Sequence, residues 1–308
     1  MIKVLITGGA GFIGSSLADR LLDQGNYTVV SVDNFLTGDV RKVSAHPNGR
    51  FIKCDVNNYQ DISAVMTSYQ FDYVFHYAAV VGVQRTIENP IIVLNDIEGI
   101  KNVLNLSKNT GVKRVFFSSS SEVYGEPVVL PQHEETTPLN SRLPYAVVKN
   151  LGESFCRSFQ KEYNLDYTIF RFFNTYGPKQ STDFVISKFI KAALSHAPLT
   201  LYGNGSQTRT FCYIDDNTSC VKKILENNLV VNDVINIGND KEYTILELAQ
   251  LIIQLTGSRS TIEFLPSLKE GDMSRRQPDA SKMKSIVGQN LIPLEEGIKR
   301  ILQSPTFF

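Results

Sequence analysis

Short apolar runs alternate with amphipathic stretches along most of this 308-residue chain. The apolar runs predict strands, the first at Val4 to Ile6 and later ones at 28–33, 50–56, 73–79, 114–120 and 167–173. Apolar residues at helical spacing predict connecting helices near 12–24, 59–69, 93–109 and 145–164. Such alternation is typical of an α/β fold, in which helices cover both faces of a doubly wound parallel sheet.

The pattern becomes less regular after residue 174, where prolines and glycines punctuate shorter elements. This change predicts a smaller carboxyl-terminal α/β lobe that supplies substrate contacts. We expect the main domain to span 1–174, with a return segment near 211–240 that rejoins its sheet at 233–238. The smaller lobe is then expected over 175–210 and 241–308.

A glycine-rich turn separates the first apolar run from the first helical pattern. Gly8, Gly11 and Gly14 are spaced as GxxGxxG. A strand that enters a helix through such a turn presents free N–H groups and the positive end of the helix dipole, which together bind a pyrophosphate. Asp33 ends the next strand, where a carboxylate would bond the adenosine ribose hydroxyls and repel a ribose phosphate. The sequence therefore predicts a site for NAD rather than NADP.

Charge and cysteine content weigh against several classes of function. The chain carries 31 basic and 31 acidic residues, so no net charge favours a nucleic acid or an anionic membrane as partner. The cysteines and histidines lack metal-ligand spacing, and we expect no metal. We also find no signal-peptide pattern and no apolar run of the ~20 residues that span a bilayer, so we expect a cytoplasmic protein.

The candidate chemistry centres on Tyr145 and Lys149, which lie one helical turn apart and leave the same helix face. A tyrosine with the ordinary pKa of about 10 is a poor base at neutral pH. A neighbouring ammonium and a positive nicotinamide ring would favour its phenolate form. Upstream, the strand 114–120 runs into consecutive serines, and a serine there can share a substrate hydroxyl's proton with Tyr145.

These motifs, together with His76–Ala79 and Arg171–Pro178, resemble the extended short-chain dehydrogenase/reductase family. Within it the chain resembles the NAD-dependent nucleotide-sugar epimerases and dehydratases, over nearly its whole length. The resemblance implies a Rossmann-type fold, NAD as cofactor, a nucleotide-sugar substrate that is UDP-linked, and a homodimer. It also implies Ser120 as the catalytic hydroxyl, Tyr145 as the base, Lys149 as a ligand of the nicotinamide ribose, and Glu122 as a carboxylate near C5 of the sugar.

The resemblance further assigns the binding residues. The NAD contacts that it implies lie in the glycine turn, at strand ends and on two helices: Gly8, Gly11, Phe12, Ile13, Gly14, Asp33, Asn34, Asp55, Val56, Ala78, Ala79, Asn95, Ser118, Tyr145 and Lys149. The substrate contacts that it implies are Val81, Ser121, Asn174, Val185, Tyr202, Arg209, Lys269, Asp272 and Arg276. Arginine suits a pyrophosphate because its fork matches two oxygens at once.

Three reactions remain open, because the family's enzymes all begin by oxidising the sugar at C4. A glutamate at the position of Glu122 resembles the dehydratases and the glucuronate decarboxylases, which carry a carboxylate there. The loop 80–86 instead resembles the corresponding loop of the epimerases. Ser121 replaces the acid of the dehydratase signature. We place a UDP-hexose or UDP-hexuronate 4-epimerase first, a UDP-glucuronate decarboxylase second and a 4,6-dehydratase third. A NAD-binding sensor or scaffold without turnover is the alternative from another class, and the intact Ser120, Tyr145 and Lys149 weigh against it.

Two predicted helices carry broad apolar faces, from which the resemblance implies a four-helix dimer interface. The faces consist of Ile97, Ile100, Val103 and Leu104 on one helix and Val147, Val148, Phe155 and Phe159 on the other. The alternative is that both faces cover the sheet, as in any doubly wound domain.

Overall fold

The computed structural model describes residues 1–266, 275–288 and 290–304. The strands are β1 (Ile2–Thr7), β2 (Tyr27–Asp33), β3 (Gly49–Lys53), β4 (Tyr73–His76), β5 (Arg114–Ser120), β6 (Asp166–Phe172), β7 (Thr175–Tyr176), β8 (Leu199–Tyr202), β9 (Thr208–Thr210), β10 (Cys212–Tyr213), β11 (Asp233–Ile237), β12 (Glu242–Thr244) and β13 (Ile262–Leu265). The helices are α1 (Phe12–Leu22), α2 (Tyr59–Tyr69), α3 (Val83–Glu88), α4 (Pro90–Leu94), α5 (Asp96–Thr110), α6 (Pro144–Tyr163), α7 (Val185–Leu194), α8 (Ile214–Glu226), α9 (Ile245–Thr256), α10 (Ser281–Val287) and α11 (Leu294–Gln303).

A seven-stranded sheet in the order β11-β6-β5-β4-β1-β2-β3 forms the centre of the fold. The pairings of β1 with β2 and β4, of β2 with β3, and of β5 with β4 and β6 are parallel. The strand order reverses at β1, and ligands of such sheets bind at this point, beside the carboxyl ends of the strands. This architecture confirms the predicted doubly wound, Rossmann-type α/β fold.

The chain divides into two compact units. The first contains Met1–Val123, Ser141–Phe172 and Thr218–Ile235, and the second contains Tyr124–Asn140, Phe173–Asn217 and Asn236–Phe308. The segment Tyr124–Asn140, which the sequence analysis places in the main domain, therefore groups with the second unit. In that unit the pairs β7–β10, β8–β13 and β9–β12 form small two-stranded sheets.

Two strands are shorter than their apolar runs predict, because backbone N–H groups just beyond them donate hydrogen bonds to side chains. β4 ends at His76 rather than at 79, since the N–H groups of Tyr77 and Ala78 both donate to the Thr7 hydroxyl. β3 ends at Lys53 rather than at 56, and the backbone N–H of Asp55 donates to the carboxylate of Asp61 instead of to a neighbouring strand.

The single helix predicted over 93–109 is wrong, because the structure has two helices that meet at Asn95. Apolar residues keep their helical spacing through this junction, from Val93 to Ile97 and Ile100, so the periodicity does not reveal the break. Pro90 occupies the first turn of α4, where its missing N–H has no intrahelical partner to lose.

The core of the first unit fills the space between its sheet and helices. Phenyl rings on three adjacent strands form a row on the sheet, with centroids 4.3 Å apart for Phe75 and Phe116 and 5.9 Å apart for Phe116 and Phe170. Ile100, Val103, Leu104, Val148 and Phe159, all assigned above to a dimer interface, instead belong to the buried core. That assignment is wrong for these residues, since a helix turns its most apolar stripe toward the sheet it covers.

Within the described parts of the chain, none of the helices combines the length and the apolar character that a membrane crossing requires.

Candidate active site

The glycine turn after β1 is packed too closely for side chains. Gly8 has a φ of +69°, and a Cβ there would lie 2.8 Å from the backbone N of Ala78. A Cβ on Gly14 would collide with the carbonyl oxygen of Gly8, which already accepts the N–H of Gly11 at 3.0 Å. Because α1 follows Gly11 without a side-chain cap, no capping side chain occupies its first N–H groups, as a dinucleotide phosphate cradle requires. Phe12 and Ile13 form the first turn of this helix.

Asp33 ends β2 with its carboxylate largely buried beside the glycine turn. One oxygen accepts the backbone N–H of Ala10 at 3.1 Å, and the other accepts that of Phe35 at 2.8 Å. Burial raises the pKa of Asp33, and these two bonds oppose the rise. On the neighbouring strand end, the Asn34 amide donates to Asp55 at 3.2 Å, and Val56 is buried next to it. The predicted adenosine-side residues thus follow two neighbouring strand ends, as the sheet topology requires.

Thr7 is a residue that the sequence analysis missed, and it connects the ends of β1 and β4. Its hydroxyl oxygen accepts the N–H groups of Tyr77 and Ala78, each at 3.1 Å, and lies 2.9 Å from Nδ1 of His76. Since this oxygen accepts two N–H groups, we assign the hydroxyl as the donor to His76 Nδ1, and with it a neutral imidazole that carries its hydrogen on Nε2. Consistently, burial and the nearby Lys149 lower the pKa of His76 to about 3.

Lys149 places its ammonium inside the protein, where only 4% of the side chain is exposed. Nζ donates to Ser118 Oγ at 3.2 Å and lies 5.6 Å from the Tyr145 ring centroid and 5.2 Å from that of Phe117. Burial lowers the pKa of Lys149 to about 8, whereas the carboxylate of Asp96 favours the charged form. The tyrosine and the lysine therefore share one helix face, next to the carboxyl end of β5, in an environment that can stabilise a phenolate.

Ser120 is the last residue of β5, and Glu122 follows it in a short 3-10 turn. The Ser120 hydroxyl oxygen accepts the backbone N–H of Glu122 at 3.1 Å. That bond leaves the hydroxyl proton available for a substrate oxygen. Ser121 is buried beside them, while Ala78 and Ala79 follow β4 on the neighbouring strand.

Asp96 is a second residue that the sequence analysis missed. Its carboxylate accepts the N–H of Val80 at 2.8 Å and so fixes the start of the loop 80–86. Burial raises the pKa of Asp96, and the bond from Val80 and the charge of Lys149 oppose that rise. Asn95, predicted to contact the cofactor, precedes it at the junction of α4 and α5. Val81 lies in the loop, where its carbonyl accepts Nη1 of Arg85 at 2.5 Å.

The other predicted substrate residues belong to the second unit. Asn174 has a φ of +28° and donates its amide to the Thr210 carbonyl at 3.0 Å, while Nη1 of Arg209 bonds the Thr208 carbonyl at 2.8 Å. Val185 begins α7 and Tyr202 ends β8. Arg276 is 7% exposed. The predicted Lys269 and Asp272 lie outside the described residues.

Comparison with known proteins identifies relatives over the whole chain. The model of the NAD-dependent epimerase/dehydratase family matches residues 4–238. UDP-glucuronic acid decarboxylase 1 of Danio rerio is 38% identical over 312 residues, which cover 98% of this chain and 72% of that protein. A putative UDP-glucose 4-epimerase of Methanocaldococcus jannaschii is 33% identical, covering 97% of each chain. The solved structure of a UDP-glucose 4-epimerase from Thermotoga maritima with UDP-glucose superposes with a TM-score of 0.92 at 31% identity, over 98% of each chain.

The position of Asp33 predicts that the protein discriminates against NADP. Its carboxylate is held by two backbone N–H groups and cannot swing away from a phosphate on the adenosine ribose. Because like charges placed together cost several kcal/mol, we expect NAD to bind at least about 100-fold more tightly than NADP. Titration of the protein with both cofactors by calorimetry measures the ratio. Equal affinities would contradict the role given to Asp33.

Proposed function

This chain belongs to the NAD-dependent epimerase/dehydratase family, and we propose that it is a 4-epimerase of a UDP-linked hexose or hexuronate. The observation that carries the proposal is the buried Lys149 ammonium, which bonds Ser118 and lies over the ring of Tyr145. Burying an ammonium costs free energy because the charge loses its water, and a binding protein without turnover does not need such a group. The cofactor is NAD, since the glycine turn, the uncapped start of α1 and Asp33 fit a dinucleotide.

In the proposed reaction the chain's own groups handle the proton of the sugar C4 hydroxyl. Ser120 bonds this hydroxyl and orients it, and the phenolate of Tyr145 takes its proton. Lys149 stabilises the phenolate by its charge. When bound, NAD supplies the acceptor for the hydrogen removed from C4. Tyr145 then returns the proton when the keto sugar is reduced on its other face, which inverts C4.

The loop 80–86 favours the epimerase over the other reactions. It follows β4 and is held at its start by the bond from Val80 to Asp96 and further on by the bond from Arg85 to Val81. Gly82, within this loop, has a φ of +106°, which residues other than glycine rarely adopt. The resemblance of this loop to those of epimerases, and the Methanocaldococcus and Thermotoga relatives, support this choice.

A UDP-glucuronate decarboxylase is the second candidate. The Danio rerio relative is a decarboxylase, and Glu122 stands two residues after Ser120, where a carboxylate can act near C5 of an oxidised sugar. Arg276 is the candidate partner for a uronate carboxylate, although a hexuronate epimerase would use it in the same way.

Tyr145→Phe tests the catalytic assignment. The change removes the phenolic oxygen and keeps the ring that packs against the core. We expect turnover to fall by about 10²–10⁴-fold, as for loss of a general base, with nearly unchanged binding of NAD and UDP-sugar. An NMR assay with UDP-glucose, UDP-N-acetylglucosamine and UDP-glucuronate measures the rate, and calorimetry measures the binding. A variant with near-normal turnover would reject Tyr145 as the base.

Glu122→Gln separates the candidate reactions. A 4-epimerase moves no proton at C5, so we expect this variant to keep its rate within about threefold, given that most substitutions at polar sites outside a mechanism are mild. A decarboxylase or dehydratase would instead stall after oxidation and accumulate the 4-keto sugar. NMR of the quenched reaction detects that sugar, and its accumulation would overturn the choice of an epimerase. A fall in thermal stability alone would assign Glu122 to the turn before Gly125.

We also propose that the protein forms a homodimer, through a face that shares only Val147 with the residues that the sequence indicates. Large apolar side chains remain exposed on α4 and α6, which pack against each other. They are Ile91 (68% exposed), Ile92 (44%), Leu94 (36%), Val147 (43%) and Leu151 (37%). Exposed apolar side chains on two helices that pack together are typical of a protein interface, and a second copy would pair this face with itself about a twofold axis.

Leu151→Glu tests this interface. A charge within an apolar interface loses its water without gaining a partner, so we expect the variant to be monomeric at micromolar concentration, where the proposal expects the wild type to be a dimer. Light scattering measures the mass of each. Ser68→Glu, on the exposed side of α2, is the matched control and should leave the dimer intact. A monomeric wild type would contradict the proposal.

A further inference from the structure

A fully buried carboxylate lies on α6 beyond the catalytic pair. Glu153 has no exposed surface and stands one helical turn after Lys149 and two turns after Tyr145. Its Oε1 accepts hydrogen bonds from Ser119 Oγ at 2.7 Å and from Arg171 Nε at 2.9 Å. Its Oε2 accepts bonds from Arg171 Nη2 at 2.7 Å and from Arg157 Nη2 at 3.0 Å. Burial alone would raise the pKa of Glu153, but the bonds from Arg171 and Ser119 hold it below its ordinary value.

The partners of this carboxylate come from two neighbouring strands at a single level of the sheet. Ser119 on β5 and Arg171 on β6 are directly opposite each other in the parallel ladder. Glu153 therefore joins α6 to both strands at one register position. Displacing α6 along the sheet by one residue would break the three bonds from Ser119 and Arg171 and leave the buried carboxylate with Arg157 as its one remaining partner among these, which is strongly unfavourable.

The same register position lies between the two serines of the candidate active site. Ser118, which accepts the Lys149 ammonium, precedes Ser119, and Ser120 follows it. We propose that the cluster of Glu153, Ser119 and Arg171 is a positioning device that sets where α6 lies along β5, and thereby aligns Lys149 with Ser118 and Tyr145 with Ser120. This inference rests on the proposed roles of Tyr145, Lys149 and Ser120.

Nearby features show why the alignment needs such a device. Gly152 brings α6 so close to β5 that a Cβ there would overlap the Phe117 ring. This contact is apolar and sets the distance between helix and strand, but it does not oppose sliding as directional hydrogen bonds do. Arg157 donates to the same carboxylate from within α6, one turn further along, so this bond does not depend on where the helix lies over the sheet. Arg157 also interacts with Tyr167 near the start of β6, away from Ser119 and Arg171.

Two variants and a matched control test the proposal. Ser119→Ala removes one bond between α6 and β5, and Arg171→Lys keeps the charge on β6 but loses the forked geometry. Arg157→Ala removes one bond to the same carboxylate but leaves the bonds from Ser119 and Arg171 in place. We measure kcat and KM for the UDP-sugar that the wild type turns over, together with thermal stability and NAD affinity.

We expect Ser119→Ala and Arg171→Lys each to lower kcat by at least about tenfold with KM within about threefold, since misplacement of reacting groups by about 1 Å is costly in rate. The double variant should lose little more than the stronger single variant, because both changes disable one device. Arg157→Ala should keep kcat within about threefold, as expected for a partly exposed ion pair.

Lower thermal stability with unchanged kcat in both variants would overturn the proposal, because a merely structural role predicts that result. A kcat loss in Arg157→Ala equal to that in Ser119→Ala would overturn it too. Tyr145→Phe serves as the reference. If that variant retains turnover, the proposed catalytic assignment fails, whereas an inactive Tyr145→Phe beside fully active Ser119→Ala and Arg171→Lys refutes only the positioning device.

Discussion

The buried ammonium of Lys149 is the interaction on which the candidate site depends. Removing a charge from water is costly, and the fold offsets this cost with the Ser118 hydroxyl, two aromatic rings and the carboxylate of Asp96. Burial still lowers the pKa of Lys149 to about 8, so the ammonium is not far from losing its proton. The charge of Lys149 is therefore sensitive to small displacements of the groups around its ammonium. The helix that carries it must therefore lie at a defined place over the sheet.

The opposite side of the site rests on close backbone packing. Gly8 and Gly14 let β1 turn into α1 without side chains, and the Thr7 hydroxyl binds the two N–H groups that follow β4. His76 completes this arrangement as a neutral acceptor, which leaves Lys149 as the cation beside it. The uncapped N–H groups of α1 thus follow a closely packed turn, and such N–H groups together with the helix dipole make a helix start a phosphate site.

Much of the fold follows from local sequence. The strand 114–120 and the helix 59–69 have the boundaries that their apolar patterns predict, and the glycine spacing indicates the dinucleotide turn. The apolar pattern predicts the wrong boundary where a side chain from another element ends a strand, as Thr7 does for β4, or where the periodicity continues through a helix junction, as at Asn95. Neither effect leaves a trace in the spacing of apolar residues.

The sequence by itself determined the fold class, the family, the cofactor and the residues that bear the candidate chemistry, because these depend on short motifs that act within one turn or one strand end. Only the tertiary structure decided which apolar faces are buried: Val103 and Phe159 belong to the core, while Ile91 and Leu151 remain outside. It also decided that Glu153, Ser119 and Arg171 meet. These partners come from three different elements, and strand register and helix packing, rather than spacing along the chain, bring them together.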